Sequence, residues 1–184
     1  MATTIPTKIS TVIVPICSCS LVKLGVEVGT SSARTTVMVA VGDGADVVDG
    51  TDAALREGDF RHIALANPRL APYGAAAMEL LEGLDLWDAV ESRAVFGENV
   101  AQAFSFVSTG NAELGFVALA QVLGLDDEDR GSFWVVPGRL HPPIEQQAVL
   151  LSAGRDNPAA LRFASYLRSA AARSIIERCG YEVE

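Results

Sequence analysis

Seven short runs of this chain are apolar almost without interruption: residues 11–16, 36–41, 62–66, 93–96, 114–119, 133–136 and 147–151. Val- and Ile-rich runs of this length suit strands covered on both faces, because a strand open to water on one side alternates apolar with polar residues. Between the runs the apolar residues change to a three-and-four spacing. A helix predicted over residues 74–82 puts Ala77, Leu80 and Leu81 on one stripe that continues to Leu84, and such a stripe must be covered by another element. Glu79 and Glu82 then face solvent, Gly83 stops the helix, and Trp87 in the following turn packs on the core. In "GENVAQAFSFVSTGN", Asn99 is an N-cap with Gln102 three residues on, a capping-box arrangement. Ala103, Phe104 and Val107 form its buried face, and Gly110 closes it in the C′ position. Asn157 and Pro158 open a helix to about Arg168 with Leu161, Ala164 and Leu167 inward. Ser169 caps another over 170–179, closed by Gly180. Strands alternating with helices predict an α/β fold with a mainly parallel sheet.

Composition narrows the function classes. The 184 residues are 49% hydrophobic and 20% charged, sufficient for a normal core. The net charge of −9 argues against nucleic acid, which is held by clustered Lys and Arg. The positive residues are scattered singly. Acidity does not exclude a small anion, because helix N-termini and backbone amides hold one without formal positive charge. Cys17, Cys19 and Cys179 give neither a disulfide framework nor metal-ligand spacing. With only His62 and His141 as imidazoles, no zinc site is expected. The N-terminal run from Ile9 to Val22 is broken by Pro15 and two serines, so it reads as a buried strand rather than a signal peptide. It is also too short to span a membrane, which takes about 20 apolar residues.

Candidate catalytic chemistry is thin. No serine sits in Gly-x-Ser-x-Gly. His62 reads as a strand-end residue, and His141, in "LHPPI", as part of an extended connector. "GDGADVVDG" lacks the lysine and Ser/Thr of a P-loop, and "GLDDEDRGS" lacks the ligand spacing of a calcium loop. No nucleophile–base pair emerges, so no enzyme is expected.

Two strand–loop–helix units remain, "HIALANPRLAPYGAAA" and "AVFGENVAQAF". In parallel α/β sheets ligands bind beyond the carboxyl ends of strands. Both loops belong at that edge, and each delivers unpaired N–H groups from a first helical turn. The expected donors are Tyr73, Gly74 and Ala75 in the first unit, and Val100 beside Asn99 in the second. Between them a small oxyanion would be held by neutral dipoles and one phenol.

At these loops the sequence resembles the periplasmic molybdate-binding proteins of ABC transporters. "GDFRHIALANPRLAPYGAAAMELLEGLDLWD", "GENVAQAFSFVSTGNAELGFVALAQV", "GSFWVVPGRLHPPIEQQAVLLS" and "ALRFASYLRSAAARSIIERCGYEV" carry the resemblance, over about residues 58–184. It implies a two-lobed, type II periplasmic-binding-protein fold that clamps tetrahedral molybdate or tungstate between lobes. It also implies a membrane permease as partner, a periplasmic location, and molybdenum bound only as its oxyanion, with no other metal and no cofactor. Carried over residue by residue, the oxyanion contacts are Tyr73 and the Val100 amide, with Gly74 and Asn99 beside them. Where some members carry a tyrosine after "LGFV", this chain has Ala118, so the phenol role falls to Tyr73.

The first lobe departs from the family pattern. Residues 1–28 do not resemble its opening strand–helix unit. "GTSSAR", at 29–34, looks like the family's serine loop but is spaced as a connector into the second lobe. The expected division is a divergent N-terminal remnant over 1–35, the second ligand-binding lobe over 36–136, and a crossover with C-terminal helices packing on the first lobe over 137–184. That is one fairly complete lobe with a parallel-rich sheet, plus a partial one. Three rival readings follow: a truncated member that self-associates and binds nothing, a sensing module for another small anion, and an α/β enzyme. The sensing module would want a DNA-binding helix-turn-helix, and the acidic residues 1–57 offer none.

Overall fold

A computed structural model describes residues 31–35, 37–41, 48–148 and 150–183. The strand expected at 11–16, Cys17 and Cys19, and most of "GDGADVVDG" lie outside the described residues. The strands are β1 (Ser31–Thr35), β2 (Val37–Val41), β3 (Ile63–Ala66), β4 (Ala94–Gly97), β5 (Leu114–Ala118), β6 (Phe133–Val135), β7 (Ile144–Ala148) and β8 (Tyr181–Val183). The helices are α1 (Ala53–Glu57), α2 (Pro72–Gly83), α3 (Trp87–Val90), α4 (Val100–Ser108), α5 (Leu119–Leu123), α6 (Pro158–Leu167) and α7 (Ala170–Arg178).

Two sheets organise these elements. The larger has the order β4-β3-β5-β2-β6, the smaller β7-β1-β8. β3 runs parallel to β4 and to β5, while β2 is antiparallel to both β5 and β6. Four strands of the larger sheet therefore share one direction and β2 alone is reversed. Their carboxyl ends define one edge, and the connectors entering them define the other.

β3 is buried along its whole length, as a central strand covered on both faces must be. Its alternation assigns the two faces. Ile63 and Leu65 join the main core with Tyr73, Ala76, Ala77, Leu80 and Leu81 of α2. Ala64 instead packs with Ala103 and Val107 of α4. α2 and α4 thus cover opposite faces. The expected apolar stripes of both helices are buried, Trp87 packs partly buried against the main core, and Glu79 and Glu82 are exposed.

Several boundaries depart from the sequence reading. The residues "SSART" form a strand rather than a serine loop, and one residue later the chain enters β2 of the larger sheet. These residues are β1, the centre of the smaller sheet, paired with β7 and β8. The last expected strand, at 147–151, shifts to Ile144–Ala148: the prolines at 142 and 143 hand over directly to an edge strand, and Leu151 lies 41% exposed beyond it. β5 ends at Ala118, and a short helix starts where the strand was expected to continue. Gly83 closes no left-handed turn; Asp85 adopts it at φ 56°, with the Leu86 amide donating to Leu81 O at 2.8 Å. Leu161, expected inward, is 43% exposed, and Ala160 is the buried residue of α6. Gly110 and Gly180 do take left-handed conformations after α4 and α7.

Candidate functional site

The registers of β3 and β4 align Ala66 with Gly97, so both strands end at the same level. From β3 the chain turns through Asn67–Ala71 into α2. From β4 it passes through Glu98 and Asn99 into α4. The two exits are tied directly, the Asn67 amide donating to Gly97 O at 2.7 Å. The helices leave on opposite faces of the sheet, so these adjacent strand ends form the kind of switch point where open α/β sheets take ligands.

Two glycines make this junction sterically feasible. A Cβ on Gly74 would lie 2.1 Å from Ala66 O and 2.7 Å from Ala66 C. A Cβ on Gly97 would lie 2.8 Å from the Ala103 amide nitrogen and 3.1 Å from Asn99 O. Each helix therefore begins pressed against the end of a strand, closer than any side chain permits. Gly74 was singled out in the sequence as an amide donor, yet its amide donates to Ala71 O at 3.0 Å, and the Ala75 amide shares that carbonyl at 3.2 Å. What the position requires is the missing side chain, which no spacing rule reveals.

The helix openings differ in how their first amides are satisfied. At α4, Asn99 Oδ1 accepts from the Gln102 amide at 3.0 Å, and Asn99 O accepts from Ala103. Gln102 Oε1 reaches back to the Glu98 amide at 2.7 Å, a capping box displaced by one residue. The amides of Val100 and Ala101 have no acceptor among the described residues, and Val100 packs its side chain on the main core. α2 starts on Ala71, which has no side-chain acceptor, with Pro72 at N1 and Tyr73 at N2. Tyr73 is buried in the main core with Ala118 and Ile144. Neither helix carries Asp or Glu in its first turn, so no carboxylate within either helix neutralises its positive dipole end.

At the neighbouring strand end, the Ala118 amide donates to Gln121 Oε1 at 3.0 Å. His141, on the connector leaving β6, is buried and its Nδ1 lies 2.7 Å from Pro142 O. His62, at the other edge, is exposed and donates its backbone amide to Glu113. Among the described residues, no three His, Cys, Asp or Glu side chains gather where they could hold a metal ion. The four residues singled out in the sequence thus occupy two abutting helix openings. Asn67, whose amide joins them and whose Oδ1 accepts from the Arg69 amide at 2.9 Å, was not singled out; its place before a proline was the available signal.

Comparison with known proteins places this chain in a family. Residues 20–182 match the family model for bacterial extracellular solute-binding proteins. The molybdate-binding protein ModA of Azotobacter vinelandii is 48% identical over 137 residues, which is 74% of this chain and 54% of that protein. The ModA of Rhodobacter capsulatus is 42% identical over 137 residues, 74% of this chain and 53% of that one. The solved periplasmic molybdate-binding protein of A. vinelandii superposes with a TM-score of 0.76 at 34% identity, across 84% of this chain and 68% of its own. The substrate-binding domain of a putative molybdenum ABC transporter from Clostridium difficile follows at 0.59 and 25%, across 81% of this chain and 63% of its own. The fold is that of the type II periplasmic binding proteins. The chain spans about half the length of the curated relatives it matches.

Proposed function

The chain belongs to the bacterial extracellular solute-binding protein family, and from that premise we propose that it is the molybdate- or tungstate-binding component of an ABC transport system. It is a carrier rather than an enzyme, and it works outside the cytoplasmic membrane with a membrane permease. The supporting observation is the junction of two uncapped or half-capped helix openings, tied by the Asn67–Gly97 hydrogen bond at 2.7 Å. A tetrahedral dianion at this junction takes hydrogen bonds from the amides of Val100 and its neighbour and from Tyr73. Neutral donors suffice because the two helix dipoles add at one point. Sulfate is a smaller dianion with the same geometry, so discrimination between the ions rests on the size of the space between donors.

In this reading residues 36–136 are the ligand-binding lobe, residues 1–35 the remnant of another, and residues 137–184 the crossover and closing helices that pack on it. One observation favours a second reading. Leu161, Phe163 and Tyr166 of α6 and Ile175 of α7 are between 42% and 45% exposed, and apolar surface of that kind favours self-association. A self-associating chain that binds nothing would sediment above its monomer mass and gain no thermal stability in molybdate.

Replacing Val100 by proline tests the oxyanion reading. Position N1 of a helix accepts proline, and Asn99 already has the extended backbone, φ −149° and ψ 173°, that a following proline demands. Val100→Pro therefore removes one N–H while keeping α4. Calorimetry should show molybdate binding in the parent and roughly tenfold weaker binding in the variant, as for a hydrogen bond to a charged group. Equal affinity removes the Val100 amide from the site, and heat from sulfate alone removes molybdate as the ligand.

A further inference from the structure

Residues 48–148 contain six arginines and no lysine. Four of the six are engaged. Arg56 pairs with Asp52, Arg61 with Glu113 and Arg130 with Asp127. Arg93 donates to the carbonyls of Gly58, Phe60 and Ala89. The other two, Arg69 and Arg139, are exposed, and their guanidinium groups have no acceptor among the described residues. Both sit on connectors that leave strand carboxyl ends, Arg69 after β3 and Arg139 after β6. β3 and β6 run in the same direction three places apart in the sheet order, so the two connectors leave one sheet edge from strand ends about 14 Å apart. That edge is the one holding the openings of α2 and α4.

The carboxylates are distributed the opposite way. Asp85, Asp88 and Glu91 precede β4, Glu113 precedes β5, and the acidic run at 126–129 precedes β6. Among the described connectors leaving β3 to β6, Glu98 is the one carboxylate. Residues 48–148 are thus polarised across the main sheet, with their two unpaired arginines at the proposed mouth.

We propose that Arg69 and Arg139 are steering residues, which draw a small dianion from solution to the mouth without joining its hydrogen-bonded shell. The inference rests on the oxyanion reading above. Cations that act at a distance change the rate of encounter and its dependence on salt, while the rate of escape stays with the short-range donors. Screening ends their influence beyond a length of ~10 Å at 0.1 M salt.

Stopped-flow mixing with molybdate, read by fluorescence of the core residue Trp134, separates the two rates in the full chain. At about 10 mM salt, Arg69→Gln with Arg139→Gln should lower the association rate about tenfold, leave dissociation within twofold, and flatten the salt dependence. Arg56→Gln, at the opposite edge, should leave both rates unchanged. A double variant that associates as fast as the parent overturns the inference while leaving the oxyanion reading in place. So does a loss confined to dissociation, which would make the arginines direct ligands. A parent that binds no molybdate in calorimetry overturns the oxyanion reading, and the inference falls with it.

Discussion

The two edges of the larger sheet hold the chain together by different chemistry. At the carboxyl edge, contact is made by backbone against backbone: Gly74 on Ala66, Gly97 on the first turn of α4, and the Asn67 amide on Gly97 O. No ion pair forms there among the described residues. At the opposite edge, charged side chains fasten the connectors. Arg93 gathers the carbonyls of Gly58, Phe60 and Ala89 and lies 4.1 Å over the Phe60 ring. Glu113 takes the amides of Arg61 and His62 and the Arg61 guanidinium. The difference shows how one sheet divides labour. The fastened edge uses Arg93 and Glu113 to tie its connectors together, whereas the open edge keeps the Val100 and Ala101 amides without an acceptor among the described residues, as a site for an anion requires.

Substitutions at the two edges should therefore separate stability from binding. The largest effect belongs to Gly74→Ala. Its Cβ meets the backbone of Ala66, which cannot yield, so denaturant unfolding should show a loss of about 3 kcal/mol, and calorimetry a loss of molybdate affinity as α2 lifts from β3. Next comes Arg93→Ala at the fastened edge. Losing three carbonyl hydrogen bonds and a cation–π contact should cost about 2 kcal/mol in the same melts, with molybdate affinity unchanged in the folded protein. An affinity loss there would break the comparison.

Acid sharpens it further. Partial burial pushes the Glu113 carboxyl up, but the His62 amide and the Arg61 side chain pull it down more, to about 2 from 4.5. A carboxyl whose folded pKa is depressed stabilises the protein above its unfolded pKa and loses that contribution as pH falls toward the folded value. Melts should thus weaken between pH 4.5 and about 2, and Glu113→Gln should flatten that limb. At neutral pH the same variant should lose roughly 1 kcal/mol, because the ion pair is largely solvated. The smallest effect, with opposite sign, is Gly83→Ala. Nothing lies within 4 Å of its Cβ at the far end of α2, so alanine should stabilise by about 0.5 kcal/mol. One helix then holds two glycines that respond in opposite directions.

Much of this architecture is legible in the chain because it follows from burial. β3 and β5 are apolar throughout and stand at the centre of the sheet. The Asn99–Gln102 spacing announced the opening of α4, and Asn157 and Ser169 announced α6 and α7. Most of the smaller sheet escaped notice for the complementary reason, with β7 anticipated only in a shifted position. β1, as "SSART", and β7, as "IEQQA", are mostly polar, and their pairing joins residues far apart in sequence. At the site, Tyr73 and Asn99 stood out as side chains. The roles of Gly74 and Gly97 did not, since close approach depends on which strand end lies beneath which helix.

The central claim is that the anion sits on amides at the carboxyl edge. Titrating molybdate into nitrogen-15-labelled protein and following each amide by NMR tests it most directly. The account predicts that Tyr73, Val100 and Ala101 move together and saturate with one affinity, while Arg61, His62 and Glu113 stay fixed. Movement at the fastened edge with Val100 and Ala101 unchanged would contradict it.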